Sequence, residues 1–176
     1  MKRAALITVL SLSLISVRAN HITGGEIYYT LTGQSGNDYT YSVTLKLYRD
    51  HFSSGAPLDA AAPIAVFDRF SGAMIWNGTI PRARIDYLEL VSPGPCIMNP
   101  PPVYYDVGIY TFTVTLPGSP NGYTIAYQRC CRIAGINNLI GSSSIGATYI
   151  AEIPGSSPVP SGPANNSAVF IGPDTV

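Results

Sequence analysis

The sequence predicts an all-β sandwich. Three observations carry that expectation: runs in which every second residue is apolar, breaks rich in Gly, Pro and Asn between those runs, and no sustained 3.6-residue period after residue 19. In chain order, the first strand is expected at Glu26 to Leu31, rich in Tyr and Ile. The second, Tyr39 to Leu47, has the cleanest pattern: Tyr39, Tyr41, Val43, Leu45 and Leu47 alternate with Thr40, Ser42, Thr44 and Lys46. That is the period of a strand with one buried and one wet face. Ile64 to Phe70, Met74 to Ile80 and Ile85 to Val91 follow as weaker candidates. In Ile109 to Leu116, Tyr110, Phe112, Val114 and Leu116 alternate with Thr111, Thr113 and Thr115. Tyr123, Ile125 and Tyr127 alternate in the same way, and Ala147 to Ile153 completes the set. Thr and aromatic residues dominate these runs, as half-buried strands favour. Turns are expected at Gly33 to Asp38, Ser53 to Pro57, Ser71-Gly72 and Pro117 to Gly122, where Pro120-Asn121-Gly122 reads as a hairpin signal.

One motif refines the class. Asp106-Val107-Gly108-Ile109-Tyr110 has the D-x-G-x-Y form that precedes strand F of immunoglobulin-like domains, where the Tyr hydroxyl bonds back to the main chain. Asp106, Gly108 and Tyr110 are therefore structural candidates, and an immunoglobulin-like sandwich of seven to nine strands is expected over residues 20–153. Two Pro-rich stretches interrupt it. Ser92 to Val103 reads as a crossover, since Pro lacks the donor a central strand needs. Residues 154–166 begin with a stretch rich in Pro, Ser and Gly and read as a linker. Residues 167–176 then read as the start of a following, truncated domain or as a tail packed on the first one.

The N-terminus predicts export. Lys2 and Arg3 precede an apolar run from Ala4 to Ile15, and Val17 and Ala19 are the small residues of a cleavage site after Ala19. The run is shorter than the ~20 residues a membrane span needs, so residues 1–19 read as a cleaved signal peptide. No transmembrane segment is expected later in the chain. Cleavage removes Lys2, Arg3 and Arg18, leaving seven basic against ten acidic residues, a charge of −3. Only 11% of the chain is charged, less than half the ~25% of typical soluble domains. With no basic cluster to neutralise phosphates, nucleic-acid binding is close to excluded as a class. Disorder is equally disfavoured at 46% hydrophobic residues.

Cys96, Cys130 and Cys131 follow the signal, in a compartment that permits disulfides. Neighbours on a strand point to opposite faces, so a bridge from Cys96 to one of the pair is expected, and a vicinal bridge is disfavoured. Arg129 and Arg132 flank the pair and would lower a thiol pKa. No metal ligand set, cofactor loop or catalytic constellation is signalled. The candidates are weak: the neighbours Asp50 and His51, or a carboxylate pair drawn from Asp50, Asp68 and Asp86. No catalytic residue, cofactor or metal is expected. Exposed rings suit sugar stacking, and Tyr28, Tyr29, Tyr104 and Tyr105 are the candidate aromatic contacts, with one ring of each pair expected outside. Trp76 is expected in the core.

Several blocks resemble a known family. Asn20-His21-Ile22-Thr23-Gly24-Gly25-Glu26-Ile27 is similar to the mature start of large secreted multidomain proteins of Bacteroidetes. Thr44 to Asp50, Pro95-Cys96, Pro100 to Val103 and Gly108 to Val114 resemble the segments that follow. Gly122 to Arg132, with its Gln128-Arg129-Cys130-Cys131-Arg132, is the most specific block, and Gly146 to Tyr149 and Ile153 to Gly155 continue it. The resemblance implies an N-terminal module followed by PKD or cadherin-like repeats and a gliding-motility-associated C-terminal domain read by the type IX secretion system. It also implies cysteines at the positions of Leu31, His51 and Tyr104, so that at least one family bridge is broken here. The expected function is non-enzymatic: adhesion, surface attachment or a gliding-related role at the bacterial cell surface or as a secreted protein. Expected partners are other domains of a longer polypeptide, with surface polysaccharide or protein as candidates; a carbohydrate-binding module is the alternative.

Overall fold

A computed structural model of the chain describes residues 22–89, 102–133, 135–155 and 165–168. Eight strands occur among them: β1 (Ile22–Ser35), β2 (Asp38–Asp50), β3 (Ala61–Asp68), β4 (Met74–Pro81), β5 (Arg84–Glu89), β6 (Tyr104–Pro117), β7 (Tyr123–Arg129) and β8 (Ala147–Ile153). A short 3₁₀ turn, Ser142–Ser144, precedes β8. Two antiparallel sheets result, ordered β1-β2-β6-β5 and β4-β3-β7-β8. Named A, B, C, C′, D, E, F and G in chain order, the strands form ABED and C′CFG sheets, the immunoglobulin-like arrangement.

The period-two pattern builds the core. Tyr29, Tyr41, Val43, Leu45, Leu47, Tyr110, Val114 and Leu116 face inward from the first sheet; Ile64, Val66, Ile125, Tyr127, Ala151 and Ile153 meet them from the second, all buried. Full burial of a Val, Leu or Ile side chain is worth roughly 1.5–3 kcal/mol, so these rows set the register of every strand. Trp76 of β4 stacks on Phe112 of β6 with ring centroids 5.1 Å apart, which joins the sheets on one side. On the other side β1 meets β8. The Tyr29 hydroxyl donates to the Glu152 carbonyl at 3.0 Å. A Cβ on Gly25 would lie 2.8 Å from the Tyr149 ring, so only glycine lets the strands approach here.

Three expectations change. Pro117 to Gly122 does not close a hairpin, because β6 and β7 belong to different sheets and the segment arches from one to the other. The alternating flanks resemble those of a hairpin because each buries one face, but they bury it against opposite layers. Gly122 takes φ +77 in this arch, a left-handed conformation that favours glycine. The D-x-G-x-Y motif lies within β6, at the E position, and not ahead of strand F. Its Tyr110 hydroxyl donates at 2.7 Å to the carbonyl of Asp59, in the loop leading to the opposite sheet. The bond from the start of strand F back to nearby main chain is made by Tyr123, which donates to the Pro117 carbonyl at 2.7 Å, six residues upstream.

Third, strand alternation does not govern the cysteines. β7 ends at Arg129, and beyond it the Cys130 and Cys131 sulfurs sit against each other across a cis peptide bond. Cys96, the expected partner, lies outside the described residues, as do residues 1–19, expected to be a signal peptide, and most of both Pro-rich stretches. Of the C-terminal segment, residues 165–168 are described. Ser167 pairs with Tyr29 and Asn166 with Leu31 along the outer edge of β1.

Candidate functional site

The site grows from the end of the first sheet where β2, β5 and β6 continue past the last core row. The inward phase of β2 runs Tyr41, Val43, Leu45, Leu47 and then Arg49; that of β6 runs back through Tyr110 and Gly108 to Asp106 and Tyr104. Register places Arg49 and Tyr87 on either side of Asp106, with Glu89 opposite Tyr104. The core side of the sheet thus ends in a charged and aromatic row.

Arg49 organises it. One guanidinium nitrogen bonds Asp106 Oδ2 at 3.0 Å, and the others donate to the Ser53, Gly55 and Ala56 carbonyls at 2.6, 3.1 and 3.1 Å. This single side chain folds the loop after β2 over the sheet end. Asp106 uses its second oxygen on His51 Nδ1 at 2.7 Å, and the His51 amide donates to the Tyr104 carbonyl at 2.9 Å. The His51 ring then meets Phe52 and Tyr87 edge-on at 5.2 and 5.5 Å, while Phe52 meets Tyr104 at 5.5 Å. Phe52 is 65% exposed and Tyr87 74%. The Tyr104 hydroxyl donates to Glu89 Oε1 at 2.9 Å, which raises the phenol pKa.

The opposite face of the same sheet end is aromatic too. Tyr48 and Tyr105 meet edge-on at 6.5 Å, and Lys46 Nζ lies 5.4 Å from the centre of the Tyr28 ring while bonding Glu26 at 2.9 Å. Burial lowers the Lys46 pKa, but the hydrogen bond and charge of Glu26 outweigh it and raise the net value. Of the four aromatic candidates, Tyr29 is buried in the core and Tyr28 is half-buried on the outer face. Tyr104 and Tyr105 are both half-buried, on opposite faces of β6.

A second polar cluster lies near the end of β7. Asp59 pairs with Arg129 and stands 3.4 Å from the Tyr127 hydroxyl, and Arg82 donates to the Leu58 and Asp59 carbonyls at 2.6 and 3.1 Å. Arg132 donates through Nε to the Gly146 carbonyl at 3.0 Å. Both arginines that flank the cysteines are therefore engaged with other groups. An open depression of about 360 Å³ beside them is lined by Gln128, Arg129, Cys130, Gly146, Ala147 and Thr148. It offers no ring for stacking, and its one formal charge is committed to Asp59, so we place the candidate site at the aromatic end of the first sheet.

That arrangement sets exposed rings beside a hydrogen-bonded charge network. His51 and Asp106 form a His–Asp pair, and the rings packed edge-on against the imidazole are those of Phe52 and Tyr87. Asp50, Asp68 and Asp86 are each held locally: by the Phe52 amide, by Ser71 and Phe70, and by Arg84. Among the described residues, no group of three or more His, Cys, Asp and Glu is disposed to hold a metal ion, and no helix is long and apolar enough to cross a membrane. Sequence reasoning reached Tyr104, Tyr105 and His51 but missed Phe52, Tyr87, Glu89 and the organising role of Arg49. The apolar phase of β5 signalled an inward face, and nothing local said that this face overshoots the core. No family model matches the chain, and no curated protein or solved structure matches it.

Proposed function

We propose that the chain is a non-enzymatic, immunoglobulin-like module of a secreted or cell-surface multidomain protein, and that it serves adhesion or surface attachment through the aromatic end of its first sheet. One observation carries this reading. Phe52 and Tyr87 are large, exposed and pre-ordered by the Arg49–Asp106–His51 network, so a partner would not bear the entropy cost of ordering them. Aromatic anchors beside hydrogen-bonding groups are typical of interface hot spots. The resemblance to the N-terminal modules of large Bacteroidetes secreted proteins supports the same reading. Positions 51 and 104, which such modules give to cysteine, are adjacent across β2 and β6 through the His51–Tyr104 backbone bond.

The test is adhesion of beads carrying the exported chain to purified surface polysaccharide and to whole bacterial cells. The Phe52→Ala/Tyr87→Ala pair is expected to lose at least ~10-fold in binding, on hot-spot magnitudes, with an unchanged melting temperature. Undiminished binding by the pair would move the site elsewhere, and turnover of any substrate would end the non-enzymatic reading. A carbohydrate-binding module is the second reading, favoured by Glu89 and the Tyr104 hydroxyl beside the rings. The rings meet edge-to-face and form a ridge where a flat platform would suit a crystalline glycan surface better, so the first reading leads. Binding to soluble glycans without binding to cells would reverse that order.

A further inference from the structure

The outer edge of β1 is guarded at both ends and open between. At its start, Ile22 forms a parallel bridge with Arg132, and the Ile133 amide donates to the Ile22 carbonyl at 3.3 Å. Near its end, the Ser167 amide donates to the Tyr29 carbonyl at 3.0 Å. The Tyr29 amide donates to Ser167 Oγ at 2.8 Å, and the Leu31 amide to Asn166 Oδ1 at 2.8 Å. Residues 166–167 therefore occupy the position of an antiparallel fifth strand, with two side chains standing in for main-chain acceptors. Register irregularities fall at Ile22/Gly24 and Leu31/Gly33, so the regular edge runs from Gly25 to Leu31. Tyr29 and Leu31 point their amides outward, and by alternation Gly25 and Ile27 do the same. Among the described residues no partner meets those two.

This edge lacks the usual protection. Exposed edges are normally blunted by lysine, proline or brevity. β1 is 14 residues long, and Glu26 is its one charged residue. It is also self-complementary: a two-fold axis at Ile27 pairs Gly25 of one copy with Tyr29 of the other and joins two four-stranded sheets into one. We propose that residues 165–168 are a guard strand, and that the surface they cover is an interface for β1 of a second copy. The segment between Gly155 and Asn165 tethers the guard to its own domain, which gives it an effective concentration on the order of millimolar. The intact chain thus keeps the Tyr29–Leu31 part of its edge covered at ordinary concentrations, which leaves too short a run for a second β1. Displacement of the guard, by a variant or by tension on the segment that follows, opens it.

The test compares the exported chain with its Asn166→Ala/Ser167→Pro form by sedimentation equilibrium and amide exchange over a concentration series. The parent is expected to stay monomeric with Tyr29 and Leu31 amides protected. The variant is expected to rise to twice the monomer mass as concentration increases, its Gly25, Ile27 and Tyr29 amides becoming protected in step. Protection of the β2 and β6 amides reports that the sandwich is folded; if it is lost, the milder Ser167→Ala form replaces the double variant. Adding Ile27→Pro removes one edge donor without touching the β1–β2 ladder, and should return the variant to monomer. A folded variant that stays monomeric at every concentration overturns the proposal, as does a dimer insensitive to Ile27→Pro.

Discussion

Two tyrosines illustrate how much one hydroxyl can decide. Tyr123 ties the start of β7 to Pro117 across the arch between sheets, while Tyr110 ties β6 to Asp59. A neutral hydrogen bond contributes about 1 kcal/mol net, and Tyr123→Phe is expected to lose about that much in urea denaturation. Tyr110→Phe should lose less, about half, because Arg82 also donates to the Asp59 carbonyl. Burial pushes the Tyr41 and Tyr127 phenols up to about 12, against about 10 in an unfolded chain. Above pH 10 the unfolded state releases protons that the folded state retains, so stability is full below pH 10 and falls as pH rises toward 12. The melting temperature should decline over that window, and absorbance at the phenolate band should rise together with unfolding. At this scale the sequence was half legible. Alternation named Tyr41, Tyr110, Tyr123 and Tyr127 as inward, and all are buried, but it left Tyr28 and Tyr29 undivided. The D-x-G-x-Y spacing put Tyr110 ahead of strand F, whereas it lies inside β6, because the same short motif fits an inward-facing strand interior as well as a strand start.

The loop after β2 is the element on which the candidate site depends. Three carbonyls of residues 53–56 converge on Arg49, whose charge is matched by Asp106 on the neighbouring strand. Breaking a largely buried, hydrogen-bonded pair leaves the other charge without its partner. Arg49→Ala should therefore cost about 2 kcal/mol, speed amide exchange in the loop, and weaken partner binding with Phe52 and Tyr87 still present. Arg49→Lys should recover little, since a single ammonium cannot span the same fork of acceptors. None of this was readable in advance: Arg49 follows an alternating run in phase with its apolar residues, and only the three-dimensional overshoot of the sheet tells why a cation belongs there. All eight strands, by contrast, were legible as segments, three from period two and five as weaker candidates between turn signals. Sheet membership was not, because alternation tells which residues are inside without telling which layer they enter from.

For the whole molecule, the sheets are joined at both sides, by Trp76 on Phe112 and by β1 on β8. One shared core implies one transition. Tryptophan fluorescence, which reports the Trp76–Phe112 stack alone since the chain has a single Trp, is expected to change at the same urea concentration as far-ultraviolet circular dichroism. Separate midpoints would mean that the second sheet peels away first. The β1–β8 contact has a mechanical consequence as well. Gly25 meets Tyr149 and Tyr29 meets Glu152, so the two strands run in the same direction. Ile22 and Ile153 consequently lie at opposite ends of the sandwich. A pull between them runs along the strands, loading the β1–β2 and β7–β8 ladders in shear, so that many hydrogen bonds must fail together instead of one after another. A sandwich loaded in this way resists stretching through its unfolding rate and not its equilibrium stability.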